Sequence, residues 1–211
     1  NIVAGAKEES SLYLLGGADG ATWMKQRVET NIGGLHTGMD GATKTGYYLR
    51  KHMNAQVSLN PVSPLGKEHH FPLFRYAEIL LNYAEAMYHW VGEDTKPTDY
   101  PYSAREALNL VRDCADMKHV EETGNAFLER LRNERRIELA FEDHRFWDIR
   151  RWKTGEVVKN IYGVRITGTD TNFTYSKVLV RQNQWDDKMY LFPFPQEELY
   201  MNENLVQNPD W

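Results

Sequence analysis

Between residues 74 and 91, apolar side chains recur at helical spacing. Tyr76, Ile79, Leu80, Tyr83, Ala84 and Met87 form an i, i+3, i+4 stripe, and Glu78, Asn82, Glu85 and His89 form the opposite one. The spacing predicts an amphipathic helix that Gly92 stops. A second helix is expected from Ser103, which with Glu106 makes a capping box after Pro101. Its apolar line is Ala104, Ala107, Leu108, Val111, Cys114 and Ala115. Cys114 is the only cysteine, so its place on that line makes it an inert core thiol and rules out a disulfide framework. Small alanines on both stripes permit close approach, and the two helices are expected to form an antiparallel pair.

A third helical run starts near Asn125, a candidate N-cap, and extends towards Trp152 and Gly155. Its apolar positions change phase. Phe127, Leu128 and Leu131 share one face, whereas Ile137, Ala140 and Phe141 share another. Either the helix is contacted on several sides or it breaks in two. Residues 1–70 are rich in Gly and Pro and read as loops, with short strands expected at 12–15 and 47–50. So long an irregular run is unusual in a complete domain. Residues 156–190 are expected to be loops and short strands. A short strand, a Pro-initiated helix around 196–201 and an Asn-Pro turn follow.

Composition narrows the class. The chain has 211 residues, 41% hydrophobic and 26% charged, enough for one globular core. A net charge of −5 argues against a nucleic-acid binder. No signal-peptide or membrane-spanning pattern is present, and the first residue is Asn rather than Met, as in a processed or partial polypeptide.

Residues 134–152 mix dense charge with Phe and Trp and contain no Gly or Pro. Glu134, Glu138 and Glu142 recur at i+4 as one column, with Arg130 above, Arg145 below and Asp148 beyond. As chemistry, such a column suggests a pair of glycosidase carboxylates. Residues of one helix face project the same way, however, and cannot flank a scissile bond. Like charges at i+4 repel by a few tenths of a kcal/mol, and buried charge demands partners. The column therefore reads as a structural ion network: Arg130, Glu134, Glu138, Glu142, Arg145 and Asp148. For metal, Glu85 and His89 have helical spacing but no second pair, and His69-His70 alternate direction, so no metal site is expected. The Gly-rich residues 16–20 precede no helix and make a poor phosphate loop, and no cofactor fingerprint occurs. Arg150, Arg151 and Lys153 beside Trp147 and Trp152 read as arginine–aromatic packing at a helix end. Tyr13, Trp23, Tyr175 and Trp185 lie in loop-like regions as candidate exposed rings. A ring face with a polar rim suits a pyranose.

Four blocks carry a resemblance. They are L-F-R-Y-A-E-I-L-L-N-Y-A-E-A from Leu73, E-R-R-I-E-L-A-F-E-D-H-R-F-W-D-I-R-R-W from Glu134, L-F-P-F-P with a terminal Q-N-P, and T-G-Y-Y-L-R-K from Thr45. Together they resemble the C-terminal portion of the SusD/RagB family of outer-membrane nutrient-binding lipoproteins. The first two helices also look like one tetratricopeptide-type repeat, a unit that needs neighbours to stack on. The resemblance implies a mainly α fold: a tetratricopeptide-like helical scaffold with long loops and a few short strands. Residues 1–211 would be a single region, loop-rich over 1–70, helical over 71–155, and loops, strands and a terminal helix over 156–211. It also implies a non-catalytic, cell-surface glycan binder that hands its ligand to a SusC-like TonB-dependent transporter. Such a binder would be held at the outer membrane by an N-terminal lipid anchor absent from this chain. Peptide capture is the alternative, and a glycoside hydrolase using Glu134, Glu138 or Glu142 is the rival from another class. The blocks are scaffold motifs. Ligand contacts are expected in the loops, at Trp23 first and then at Tyr13 and Trp185.

Overall fold

The computed structural model describes residues 12–14, 22–23, 26–38, 40–49, 51–58, 60–68, 70–169 and 172–211. Residues 16–20, His69 and the side chain of Tyr13 lie outside them.

Helix α1 spans Tyr76–Val91 and ends at Gly92, whose N–H donates to the Tyr88 carbonyl and whose positive φ of 87° turns the chain out of the helix. Helix α2 spans Ala104–Cys114, and Ser103 and Glu106 form the reciprocal capping box. The Tyr83 hydroxyl donates to the Tyr102 carbonyl at 2.6 Å and ties the connection to α1. The core joins Leu80, Leu81, Ala84 and Met87 to Ala104, Ala107, Leu108 and Val111, closed by Val120, Phe127, Leu131 and Leu139. Each large side chain fully buried there contributes about 1.5–3 kcal/mol.

Two expectations for this pair fail. Cys114 is exposed, because burial along α2 stops after Val111 and Arg112 and residues 113–115 lie at the surface. On α1, Glu78 and Glu85 are buried while Tyr76 and Ile79 are exposed. The polar stripe of α1 faces protein, because charged partners from the third helical run meet it there.

That run breaks in two. Helix α3 spans Gly124–Glu138, with Thr123 rather than Asn125 at its N-cap, and α4 spans His144–Arg151. Between them Phe141 and Asp143 both take φ of 62°, a left-handed conformation uncommon for such residues. Two cations meet the carbonyls freed at this break. Lys51 Nζ donates to the Glu138 and Ala140 carbonyl oxygens, each at 3.1 Å, and Arg75 also donates to the Glu138 carbonyl. Positive charge at a helix C-terminus is favourable there. The break accounts for the phase change in the sequence.

Three two-stranded antiparallel pairs complete the described chain. β1 (Leu12–Leu14) pairs with β4 (Tyr47–Leu49), and β2 (Thr22–Trp23) with β3 (Gln26–Arg27). β5 (Asn160–Thr169) and β6 (Asn172–Gln182) form a long hairpin with a register shift at Ile161/Tyr162. The expectation of loops and only short strands over 156–190 is corrected by this hairpin. Its alternation of β-branched and aromatic residues is interrupted by Gly163, where the Thr45 backbone packs so closely that a Cβ would clash. Val164 N–H donates to the Thr45 carbonyl at 2.8 Å and Ile32 N–H to the Ile166 carbonyl at 2.9 Å, so the early segment lies against β5.

The L-F-P-F-P run forms no strand. Side-chain amides do the pairing: Gln207 donates to the Phe194 carbonyl at 3.0 Å and accepts from its N–H at 2.9 Å, and Asn208 donates to the Phe192 carbonyl at 2.6 Å. Helix α5 (Gln196–Met201) follows Pro195. Among the described residues, no helix is long and apolar enough to cross a membrane.

Candidate functional site

The acidic column does not survive as a column. Because α3 ends at Glu138, its carboxylates diverge to different cations. Glu134 pairs with Arg112 of α2, Glu138 with Arg75 at 2.5 Å, and Glu142 with Arg75 at 2.7 Å and with Lys51. Arg130, expected above the column, pairs instead with Glu122 at 2.5 Å. Asp148 receives the buried Arg135 at 2.7 Å and the half-exposed Arg151 at 3.1 Å. Arg145, expected below Glu142, makes no ion pair or hydrogen bond among the described residues. Burial and the nearby Arg136 lower its pKa, and Asp148 only partly opposes them.

Sequence reasoning missed several partners in this network, Glu122 and Arg135 among them. Arg75 and Lys51 bind the two carboxylates at the helix break, and Arg112 meets Glu134. Glu85 receives both guanidinium nitrogens of Arg151, at 2.6 and 2.9 Å, and the indole N–H of Trp152 at 2.7 Å. Burial would raise the pKa of Glu85, but these donors outweigh it and hold the carboxyl below its ordinary value of 4.5. Glu142 behaves likewise: burial raises it, and Arg75 and Lys51 bring it down further. The signal was present, since Arg75 and Lys51 sit in two of the four blocks. Pairing them with carboxylates 63 residues or more away required the fold.

A general acid in glycoside hydrolysis needs a raised pKa and a partner across the substrate. Glu142 is shifted the opposite way. Each member of the column has at least one oxygen committed to a cation.

The candidate ligand platforms are scattered. Trp23 is half-buried on β2, opposite Gln26. Tyr13 lies on β1 opposite Tyr48, and Tyr175 is exposed on β6 opposite Ile166. Trp185, expected as an exposed ring, is only 8% exposed. Its indole lies on Gly155, where a Cβ would overlap it, and meets Tyr190 edge-on at 5.2 Å. Absence of a side chain at residue 155 is what draws the ring inward, so Trp185 serves packing in this chain.

The exposed rings gather elsewhere. Trp147 is 60% and Phe192 56% exposed. With Arg150, Arg151, Tyr190 and Leu191 they line a groove of about 450 Å³. Arg150 lies 3.6 Å over the Phe146 ring, which itself stacks on Phe192 at 5.9 Å. Arg132 and Arg151 both lie 5.1 Å over Trp152. The basic cluster therefore packs on aromatic rings. The Asn208 side chain, donating to the Phe192 carbonyl, holds one of the residues that line this groove.

Known proteins resemble this chain. SusD-like protein P2 of Formosa agariphila is 32% identical over 138 residues, covering 64% of this chain and 24% of that protein. The crystal structure of a SusD-like protein from Bacteroides fragilis matches with a TM-score of 0.64 at 31% identity, over 81% of this chain and 31% of that one. The chain thus spans about a quarter to a third of the length of these relatives. The family model described as the SusD family matches residues 8–211. With nearly the whole chain matched to that model and the same path traced by a solved relative, the protein belongs to the SusD family.

Proposed function

We propose that this protein is a non-catalytic binder of oligo- or polysaccharide at the cell surface. It captures a nutrient glycan and delivers it to a SusC-like TonB-dependent transporter in the outer membrane. The observation that carries this reading is the family match over residues 8–211. It is joined by a network in which the carboxylates that could act on a glycosidic bond are occupied by Arg75, Arg112 and Lys51. Capture then falls to aromatic side chains, whose faces stack on the C–H surface of a sugar while polar neighbours bond its hydroxyls. Trp23 is the first proposed platform, with Tyr13 on β1 the second. Trp185 leaves this role because it is buried.

Titration calorimetry against a polysaccharide panel and a peptide mixture tests the reading. Binding to at least one glycan and to no peptide is expected. Trp23→Ala should weaken it about tenfold, or 1.4 kcal/mol, with Trp23→Phe close to the parent. Peptide binding without glycan binding would replace the reading with peptide capture. Unchanged glycan affinity in Trp23→Ala would remove Trp23 as the platform.

A further inference from the structure

The groove between α4 and residues 190–192 contains a cation without a counter-charge. Arg75, Arg112, Arg135 and Arg151 each face a carboxylate. Among the described residues Arg150 does not. Its Nη1 donates to the Phe146 carbonyl at 3.0 Å, and its Nε is buried with no hydrogen-bond partner among those residues. Three rings surround it: Phe146 at 3.6 Å, Trp185 at 5.3 Å and Phe192 at 5.5 Å. Burial lowers its pKa, and no acidic neighbour raises it back. A guanidinium nonetheless stays protonated in a protein. Ring faces attract such a charge without neutralising it, so the groove presents positive potential to whatever enters.

Beside this cation stands an apolar wall. Trp147 and Phe192 are more than half exposed, with centroids 6.4 Å apart and planes inclined by 60°. The volume of about 450 Å³ falls within the range of small-ligand sites. Arg151 lines the opposite side, but Glu85 and Asp148 already hold both of its terminal nitrogens. The available recognition chemistry is one planar cation next to one broad ring face. A guanidinium fork matches carboxylate and sulfate oxygens, and the indole face matches the C–H face of a pyranose.

We propose that this groove binds an acidic sugar residue of a glycan, a uronate or a sulfate-bearing pyranose. The anionic group would lie against Arg150 and the ring against Trp147. The inference rests on the glycan-capture reading and adds a second contact region, with a preference in charge, to the platform at Trp23.

The test titrates the whole chain with oligogalacturonate, with a sulfated carrageenan oligosaccharide and with a neutral malto-oligosaccharide, at low and high salt. Tighter binding of at least one acidic probe than of the neutral one, by tenfold or more, is expected, and salt should erode the difference. Arg150→Gln should abolish the preference while circular dichroism stays unchanged, and Arg150→Lys should keep part of it. Trp147→Ala should weaken the favoured acidic probe. The two acidic probes separate carboxylate from sulfate recognition. Equal or stronger binding of the neutral probe would overturn the proposal and leave glycan capture standing, as would acidic binding indifferent to Arg150→Gln. Binding of no glycan in this test or the polysaccharide panel would overturn both. An acidic peptide bound in preference to the saccharides would reassign the groove. So would self-association lost in Trp147→Ala.

Discussion

Arg135 and Arg145 lie ten residues apart in the same charged block and have opposite environments. Arg135 is buried with its guanidinium on Asp148 and on the Asn82 side chain at 2.7 Å. Arg145 is half-buried without an ion pair among the described residues, and its pKa is lowered by burial first and Arg136 second. Removing one partner of a buried pair strands the other charge, at about 3–5 kcal/mol, whereas an unpaired, half-buried cation contributes little. Urea unfolding should therefore show Arg135→Met destabilised by about 3–5 kcal/mol and Arg145→Met within about 1 kcal/mol of the parent. A large loss for Arg145→Met would mean that it has a partner role in the fold. Residue types alone placed Arg145 in the network and left Arg135 out of it. Only the break at 139–143 decides which of them meets a carboxylate, and no periodicity encodes a left-handed Phe141.

At the scale of elements, Glu85 links α1 to α4 through Arg151 and Trp152. Its carboxyl is held below 4.5 in the folded protein, so an unfolded chain takes up that proton first as pH falls. The stability from this link is complete above pH 4.5 and is lost as pH drops through the lower folded value. Glu142, shifted the same way at the α3–α4 break, adds to the same trend. The urea midpoint should therefore hold steady from pH 7 to about 5 and fall between about 5 and 3. Glu85→Gln should lower the plateau and flatten the fall, and an equally steep fall would assign the acid sensitivity elsewhere. Elements whose signal is local were legible in the chain: α1 with Gly92, the capping box of α2, the short strands near 12 and 47, and α5 after Pro195. The β5–β6 hairpin was not, because Gly163 breaks its alternation for the sake of the Thr45 backbone. The burial of Glu78 and Glu85 was not either, since a polar stripe looks the same in water and against a basic helix.

For the molecule as a whole, the four blocks that carry the family resemblance are the parts that hold it together. The T-G-Y-Y-L-R-K block packs on β5 through Thr45 and reaches the helix break through Lys51. The L-F-R-Y block supplies Arg75, the long charged block supplies its carboxylates, and the terminal Q-N-P pins residues 192 and 194. Family was therefore readable from sequence while ligand contacts were not: joints depend on a few fixed pairings, whereas a binding surface is only what the joints leave exposed. The groove at Trp147 and Arg150 illustrates this, since its residues belong to structural blocks and become a surface only once folded. The carboxylates of the charged block brace the fold through ion pairs to Arg75, Arg112 and Lys51. Reducing-sugar release from a bound polysaccharide, measured for the parent protein and for Glu138→Gln, tests whether bracing is their whole role. No release by either protein and the same glycan affinity in both are expected. Release by the parent that disappears in Glu138→Gln would contradict this.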